Sequence, residues 1–286
     1  MFESAEIGHE IDKSTFEEEY AKLRTELLEA QFDLIESGTF PVIILAAGME
    51  GAGVIDALTN AHTVLDSRHV VTHATDAPTR EETERPRMWR FWRTLPPKGE
   101  IGIYVGAWYT TPLIGRILGK TGSADFDRQM QSIKRLENML ATEGALILKF
   151  WFHLDKKKQK KRLQKLEESE RTKWRIEESP LGGSKHYEEV KSAAEQMMQI
   201  TGTDQAPWIP VNATNKHYKS LVVMRTILDA IQARLAEPPA EQPVPAPVRV
   251  PDIDGKTLLS TLDLSHNVEK ESYKKQLEKY QDRLNE

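Results

Sequence analysis

The chain has 286 residues, of which 39% are hydrophobic and 29% charged, with a net charge of -5 and no cysteine. That balance suits a globular protein, offers no global attraction for nucleic acid or an anionic membrane, and excludes disulfides and thiolate-held metals. No apolar run approaches the roughly 18 residues of a membrane span, and the opening MFESAEIGHEID lacks the regions of a signal peptide, so a cytoplasmic location is expected.

Residues 15–37 predict an amphipathic helix: Phe16, Tyr20, Leu23 and Leu27 recur at helical spacing and Gly38 follows as a stop. Strands are predicted at Pro41–Ala46, Val70–His73, Ile101–Val105, Leu146–Leu154 and Trp208–Val211. Helical patterns fall between and after them, at Val54–Val64, Thr111–Leu118, Asp125–Glu143, Lys156–Ser169, Lys185–Ile200 and Lys216–Leu235. Buried-type strands alternating with helices indicate an α/β fold with a mainly parallel sheet.

The first strand feeds a glycine-rich turn, Gly48-Met-Glu50-Gly51-Ala52-Gly53, with the spacing of a phosphate-binding loop. The alternative is a tight strand-to-helix turn that holds no ligand. In such loops a lysine follows the last glycine, and here Val54 does, with branched Ile55 after it. A cation about 4 Å from a phosphate contributes about 4 kcal/mol before desolvation at an effective dielectric near 20, and Val54 supplies none of it. The third strand ends at Val105, followed by Gly106. In phosphotransferases of this kind an aspartate there orients Mg²⁺, and neither residue can ligate a cation.

Between these lies Thr83–Gly99, in which Arg85, Arg87, Arg90 and Arg93 interleave with Trp89 and Trp92, and Lys98 follows. Guanidiniums and rings of this kind bind polyanions; equally, the tryptophans pack on the core while the arginines pair with Glu81, Glu82 and Glu84. The basic run Lys156–Arg162 reads as a solvated helix face or as part of a lid over a nucleotide. His153, ending an apolar strand, reads as a hydrogen-bonded core residue rather than a metal ligand.

Six of the fourteen residues from Pro238 to Pro251 are proline, which predicts an extended, semi-stiff linker over about 237–256. Beyond it, a charged helix is predicted at Val268–Glu286. Its opening, His266-Asn-Val268-Glu269-Lys270, resembles His9-Glu-Ile11-Asp12-Lys13 at a constant offset of 257 residues, and the apolar stripe continues at the same offset. Two amphipathic helices share such a stripe by default, but the lead-in lies outside it. The pattern fits a tandem duplication in which 257–286 begins a second, truncated copy of a domain spanning 1–236.

Several segments together resemble the polyphosphate kinase 2 family, in particular the N-terminal half of two-domain polyphosphate:AMP phosphotransferases. They are the glycine loop 48–53, Glu84-Arg-Pro with Trp89-Arg-Phe-Trp92-Arg93 and Leu95-Pro-Pro-Lys-Gly99, Gly106-Ala-Trp108-Tyr109, Lys149-Phe-Trp-Phe-His153, Trp174-Arg, Ser179-Pro-Leu181, and Thr203-Asp204 with Ala206-Pro207-Trp208. The resemblance implies a P-loop kinase-like three-layer αβα fold with a five-stranded sheet, a helical lid at about 156–200, Mg²⁺, and phosphoryl transfer between polyphosphate and a nucleotide. The family's loop acid falls on Glu50, its loop lysine on Val54, and its strand-end Asp-Arg-Ser-Trp-Tyr on Val105, Gly106, Ala107, Trp108 and Tyr109.

Three functions are open on these residues. One is a catalytically impaired domain that keeps Gly48, Glu50, Gly51, Ala52 and Gly53 as a vestigial loop. It would pair with a second polyphosphate kinase 2 domain or with itself, and would tether polyphosphate. Another is an active polyphosphate-dependent phosphotransferase acting on AMP or ADP with Mg²⁺, through other cations, Arg90, Arg93 or Lys98, which together with Arg85 are the candidate anion-binding residues. The third is a polyanion or nucleotide binder without turnover. Nucleic acid and membrane are not expected partners.

Overall fold

Val42, Ile43 and Ile44 are β-branched and buried on both faces, as the middle strand of a parallel sheet requires. In the computed structural model, which describes residues 2–75, 77–177, 179–237, 262, 263, 265 and 267–285, they open β1 (Val42–Gly48). Four further strands join it: β2 (Val70–Ala74), β3 (Ile101–Val105), β4 (Leu146–His153) and β5 (Trp208–Asn212). Their order is β2-β3-β1-β4-β5 and every pairing is parallel. The chain therefore leaves β1 toward one edge and later crosses to the other. The crevice at the carboxyl end of β1 lies at that reversal, where open α/β sheets bind ligands.

The helices follow in chain order: α1 (Glu3–Glu6), α2 (Lys13–Ser37), α3 (Val54–Val64), α4 (Arg80–Thr83), α5 (Trp89–Trp92), α6 (Thr110–Ile117), α7 (Ser123–Thr142), α8 (Lys156–Glu167), α9 (Trp174–Glu177), α10 (Tyr187–Thr201), α11 (Lys216–Ala236) and α12 (Lys270–Asn285). Helices α2, α3 and α11 pack together in one layer, and α6, α7 and α10 in another. Within the segment expected as a lid, α10 belongs to that second layer, because Val190, Ala194, Met197 and Met198 are buried in the core. The residues over the crevice come from α8, α9 and the turns around them.

Helix α2 starts two residues earlier than its stripe predicts, because Asp12 caps it by accepting from the Thr15 N–H at 2.9 Å. Gly38 ends it in the left-handed region at φ 54°. Its stripe faces α11 and α3: Leu23 and Leu27 are buried, and the Phe16 ring lies 4.4 Å from that of His217. The lead-in docks on the start of α11. His9 stacks on Tyr218 at 4.5 Å, and Asn215 donates to the Ile11 carbonyl at 3.2 Å.

Residues 1–238 and 239–286 form two separate units. The expected linker 237–256, apart from Glu237, lies outside the described residues, as does His266. Helix α12 begins at Lys270, the counterpart of Lys13 at the same offset of 257.

Candidate functional site

A cleft of about 490 Å³ opens at the carboxyl end of β1. Its floor is the glycine loop, Met49 to Asp56; Val105 lies at one side, and Arg162, Leu166, Trp174, Arg175, Ile176 and Ser179 close it from α8, α9 and the following turn. The loop is shaped by contacts that need glycine. Met49 N–H donates to the Phe152 carbonyl at 2.9 Å, and a Cβ on Gly48 would stand 2.6 Å from that oxygen. Gly51 and Gly53 sit at φ 77° and 67°, the left-handed region, and Gly53 leads directly into α3.

One side chain that the sequence does not single out holds this loop at Ala52 and Gly53. Lys219, buried on α11, donates from Nζ to the carbonyls of Ala52 at 2.9 Å and Gly53 at 2.7 Å. Burial, with the nearby Arg162 guanidinium, pushes its pKa down to about 8 against the pull of Asp56. Arg162 itself donates to the Ala213 carbonyl at 3.1 Å. The loop thus has a lysine beneath it, bonded to carbonyls, rather than one projecting from Val54 toward a phosphate.

Glu50, the acid of the loop, turns toward the turn that follows α9. Its Oε2 accepts from the Gly183 N–H at 3.1 Å, and Gln159 Nε2 donates to its carbonyl at 3.2 Å. Its other oxygen, Oε1, is buried without a hydrogen-bond partner. At the end of β3, Val105 pairs in register with Ala46, and Gly106 and Ala107 follow with positive φ. None of Val105, Gly106 and Ala107 carries a donor side chain, and among the described residues no cluster of three His, Cys, Asp or Glu is placed to hold a metal. The strand end thus supplies no ligand for the Mg²⁺ that the resemblance implies, and the carboxylates that line the cleft are Glu50 and Asp56.

The aromatic pair retained at that strand end points into the core. Trp108 Nε1 and the Tyr109 hydroxyl both donate to Glu137 Oε1, at 2.9 and 2.5 Å. Glu137 Oε2 accepts from Lys149 Nζ at 2.8 Å, and Lys149 also donates to the Thr201 carbonyl and lies 5.2 Å from the Trp208 ring. Burial raises the pKa of Tyr109 well above its ordinary value, with the Glu137 charge adding to the effect. Burial lowers that of Lys149 against the pull of Glu137. These residues tie β3, α7, β4 and β5 together and serve the scaffold.

The arginine and tryptophan segment lies outside the cleft lining. Arg85 and Arg93 lie over the Trp89 ring at 4.3 and 4.7 Å, Arg85 pairs with Glu81, and Arg90 pairs with Glu82 at 3.5 Å. Lys98 also falls outside the lining. His153 is buried, and its Nε2 lies 2.9 Å from Glu6 Oε1.

A signal for the missed charges was present. Glu137 falls on the stripe Phe126, Met130, Ile133, Leu140, and Lys219 on the stripe Val223, Ile227, Ile231. A charge on a buried helical stripe needs a partner, and periodicity alone does not say which.

Residues 10–239 match the family described as Polyphosphate kinase 2. The chain is 42% identical over 286 residues to a polyphosphate:AMP phosphotransferase of Pseudomonas aeruginosa, a match covering 99% of this chain and 58% of that protein. Against a protein of the same description from Pseudomonas syringae pv. tomato, identity is 41% over 286 residues, covering 99% and 57%. A crystal structure of a polyphosphate kinase 2 from Pseudomonas aeruginosa superposes with a TM-score of 0.75 at 40% identity, covering 99% of this chain and 55% of that one. The chain thus spans a little over half the length of these relatives.

Proposed function

Since the chain belongs to the polyphosphate kinase 2 family, we propose that it is a catalytically silent domain of a polyphosphate:AMP phosphotransferase-type protein, pairing with an active domain of the same fold. One observation carries this reading: the cleft is lined by Val54 and Val105 at the two positions where the family pattern has the phosphate-gripping lysine and the cation-holding aspartate. Phosphoryl transfer depends almost wholly on positioning and electrostatic stabilisation. Each lost charge of this kind removes a few kcal/mol of barrier lowering. Lys219 does not substitute, because its ammonium is bonded to the carbonyl side of the loop. The side chains kept from the family pattern, Trp108, Tyr109 and Trp208, serve packing and the buried Glu137 network.

The test is a phosphotransfer assay of the purified chain with Mg²⁺, polyphosphate, and AMP or ADP. The expected result is no nucleotide product above the protein-free control. Turnover near the 1 s⁻¹ order common among enzymes overturns the reading.

Arg162 and Arg175, both lining the cleft, favour a second reading: polyanion or nucleotide binding without turnover. Calorimetric titration with polyphosphate separates the two. Heat that disappears in Arg162→Gln and Arg175→Gln supports binding; no heat in the parent chain opposes it.

A further inference from the structure

Before it enters α2, the chain lies against the carboxyl ends of β4 and β5. Alternate residues of a strand share a face, so Trp151 and His153 stand on one side there, with Asn212, the register partner of His153, beside them. The Phe2 ring stacks 4.4 Å from the His153 ring at 12° and 6.2 Å from the Trp151 ring at 25°. Ala5 is buried behind it. Glu6 follows, with Oε1 2.9 Å from His153 Nε2 and 3.6 Å from Lys191 Nζ of α10. Further on, His9 stacks on Tyr218 and Asn215 holds the Ile11 carbonyl.

Both the Phe2 and the Glu6 contacts converge on one imidazole. Helix α1 is a single turn without a side-chain cap, so it owes its place to such contacts rather than to a backbone ladder. Ile7 is 70% exposed, and Gly8 turns at φ 87°, beside Lys158 of α8. Beneath the turn, Trp151 Nε1, His153 Nδ1 and Asn212 Nδ2 are buried, and none has a hydrogen-bond partner among the described residues. Lifting the segment would let solvent reach all three, which lowers the cost of opening.

We propose that residues 2–8 form a strap that opens about Gly8 when His153 takes up a proton, uncovering the slot of Trp151 and His153 while the core stays folded. Charges from each packed element bear on the imidazole. Glu6 of α1 and Asp155 after β4 favour its protonation, and Lys191 of α10 opposes it; burial outweighs the carboxylates and keeps the covered ring neutral. Tyr187 of α10 donates to the Leu154 carbonyl and stays uncharged, its pKa pushed up to about 12 by burial. Glu6 remains ionised down to its own lowered pKa, below 4.5. Covered, His153 titrates below 6.5; uncovered, it returns to that value. The closed strap is therefore favoured above pH 6.5 and loses ground as pH falls through it.

The chain has no cysteine, so a single thiol reports the movement. Ala5→Cys places it under the strap and Ile7→Cys on the outer side. Each full chain is reacted with dithiodipyridine, and the ratio of the two rates follows opening. From pH 7.5 to 5.5 the ratio is expected to rise by up to about tenfold, the limit for an imidazole that titrates at 6.5 only when uncovered. The far-UV circular dichroism should stay constant. In His153→Gln the ratio should not move with pH, and Phe2→Ala should raise it at both values. Amide exchange of residues 3–8 in the unaltered chain, corrected for its intrinsic pH dependence, reads the same opening without a thiol. Protection of those amides that does not fall with pH overturns the proposal. So does an equal rise in His153→Gln, or a rise that comes with loss of the dichroism signal.

Discussion

Lys219 reaches under the glycine loop and bonds the carbonyl of Gly53 at 2.7 Å, from a helix more than 160 residues further along the chain. The contact holds Ala52 and Gly53 in the turn that starts α3. It also gives the loop an internal cation where it lacks an outward one.

Replacing this lysine should therefore loosen the loop without changing the cleft's outer charge. Lys219→Met leaves two carbonyls without their charged donor and is expected to cost about 2–3 kcal/mol in urea unfolding. The effect carries a pH signature. The pKa of Lys219 falls from 10.5 in the unfolded chain to about 8 in the folded one. Between those values the unfolded chain holds a proton that the folded chain has released, so stability contributed by this group rises with pH from 8 to 10.5. The difference in stability between parent and variant should widen over that window, and a constant difference would refute the assignment.

Glu137 and Lys149 are a fully buried ion pair, with Trp108 and Tyr109 on the same carboxylate. Lys149→Met strands that carboxylate and is expected to cost about 3–5 kcal/mol. Glu137→Gln added to it removes the stranded charge while keeping an oxygen for the two aromatic donors. The double variant should be the more stable of the two in chemical denaturation, and a double variant weaker than the single one would show that the charge itself is not the cost.

Gly48 has no room for a side chain, since a Cβ would stand 2.6 Å from the Phe152 carbonyl oxygen and 2.8 Å from its Cβ. The obstacle is backbone in a central strand, which cannot swing away. Gly48→Ala is expected to destabilise by about 1–3 kcal/mol and to weaken the Met49 N–H bond to Phe152. Amide exchange at Met49 checks it: protection equal to that of the parent would count against the tight fit.

His153 is held neutral. Burial lowers its pKa below 6.5 against the Glu6 carboxylate and with Lys191 adding to the effect, while Asp155 opposes. Its Nδ1 is buried without a partner, and the Phe2 ring stacks on it at 4.4 Å. As pH falls below 6.5 the unfolded chain takes up a proton that the folded chain resists, so stability is lost from 6.5 toward the lower folded value. Glu6, whose pKa its bond to His153 lowers, adds a loss of the same sign below 4.5. Melting temperature should drop between pH 7 and 5, and the drop should shrink in His153→Gln.

Much of the fold was legible in residue order. The Ile-rich run before the loop, the apolar strand around Phe150 and the stripe of α11 each carry their period locally, because burial on two faces or one face leaves its mark on neighbouring residues. The glycine loop, with Val54 directly after it, could be read for the same reason: a turn's backbone demands are met within a few positions. Elements shorter than two turns, such as α4 and α5, carry too few repeats for a period to show. The place of α10 in the core layer, rather than in the lid, was decided by what Val190 and Met197 meet across space.

The sequence by itself determined the α/β order of elements, the glycine turn, the apolar residues standing where a lysine and an aspartate are expected, and the repeat of α2's pattern in α12. Tertiary structure alone decided that Lys219 supports the loop from beneath, that Glu50 faces Gly183, and that Trp108 and Tyr109 are spent on Glu137. Periodicity records whether a side chain is buried, since that depends on the face it occupies. The partner of a buried charge depends on which distant segment the sheet order brings within about 3 Å, and no local pattern encodes that distance.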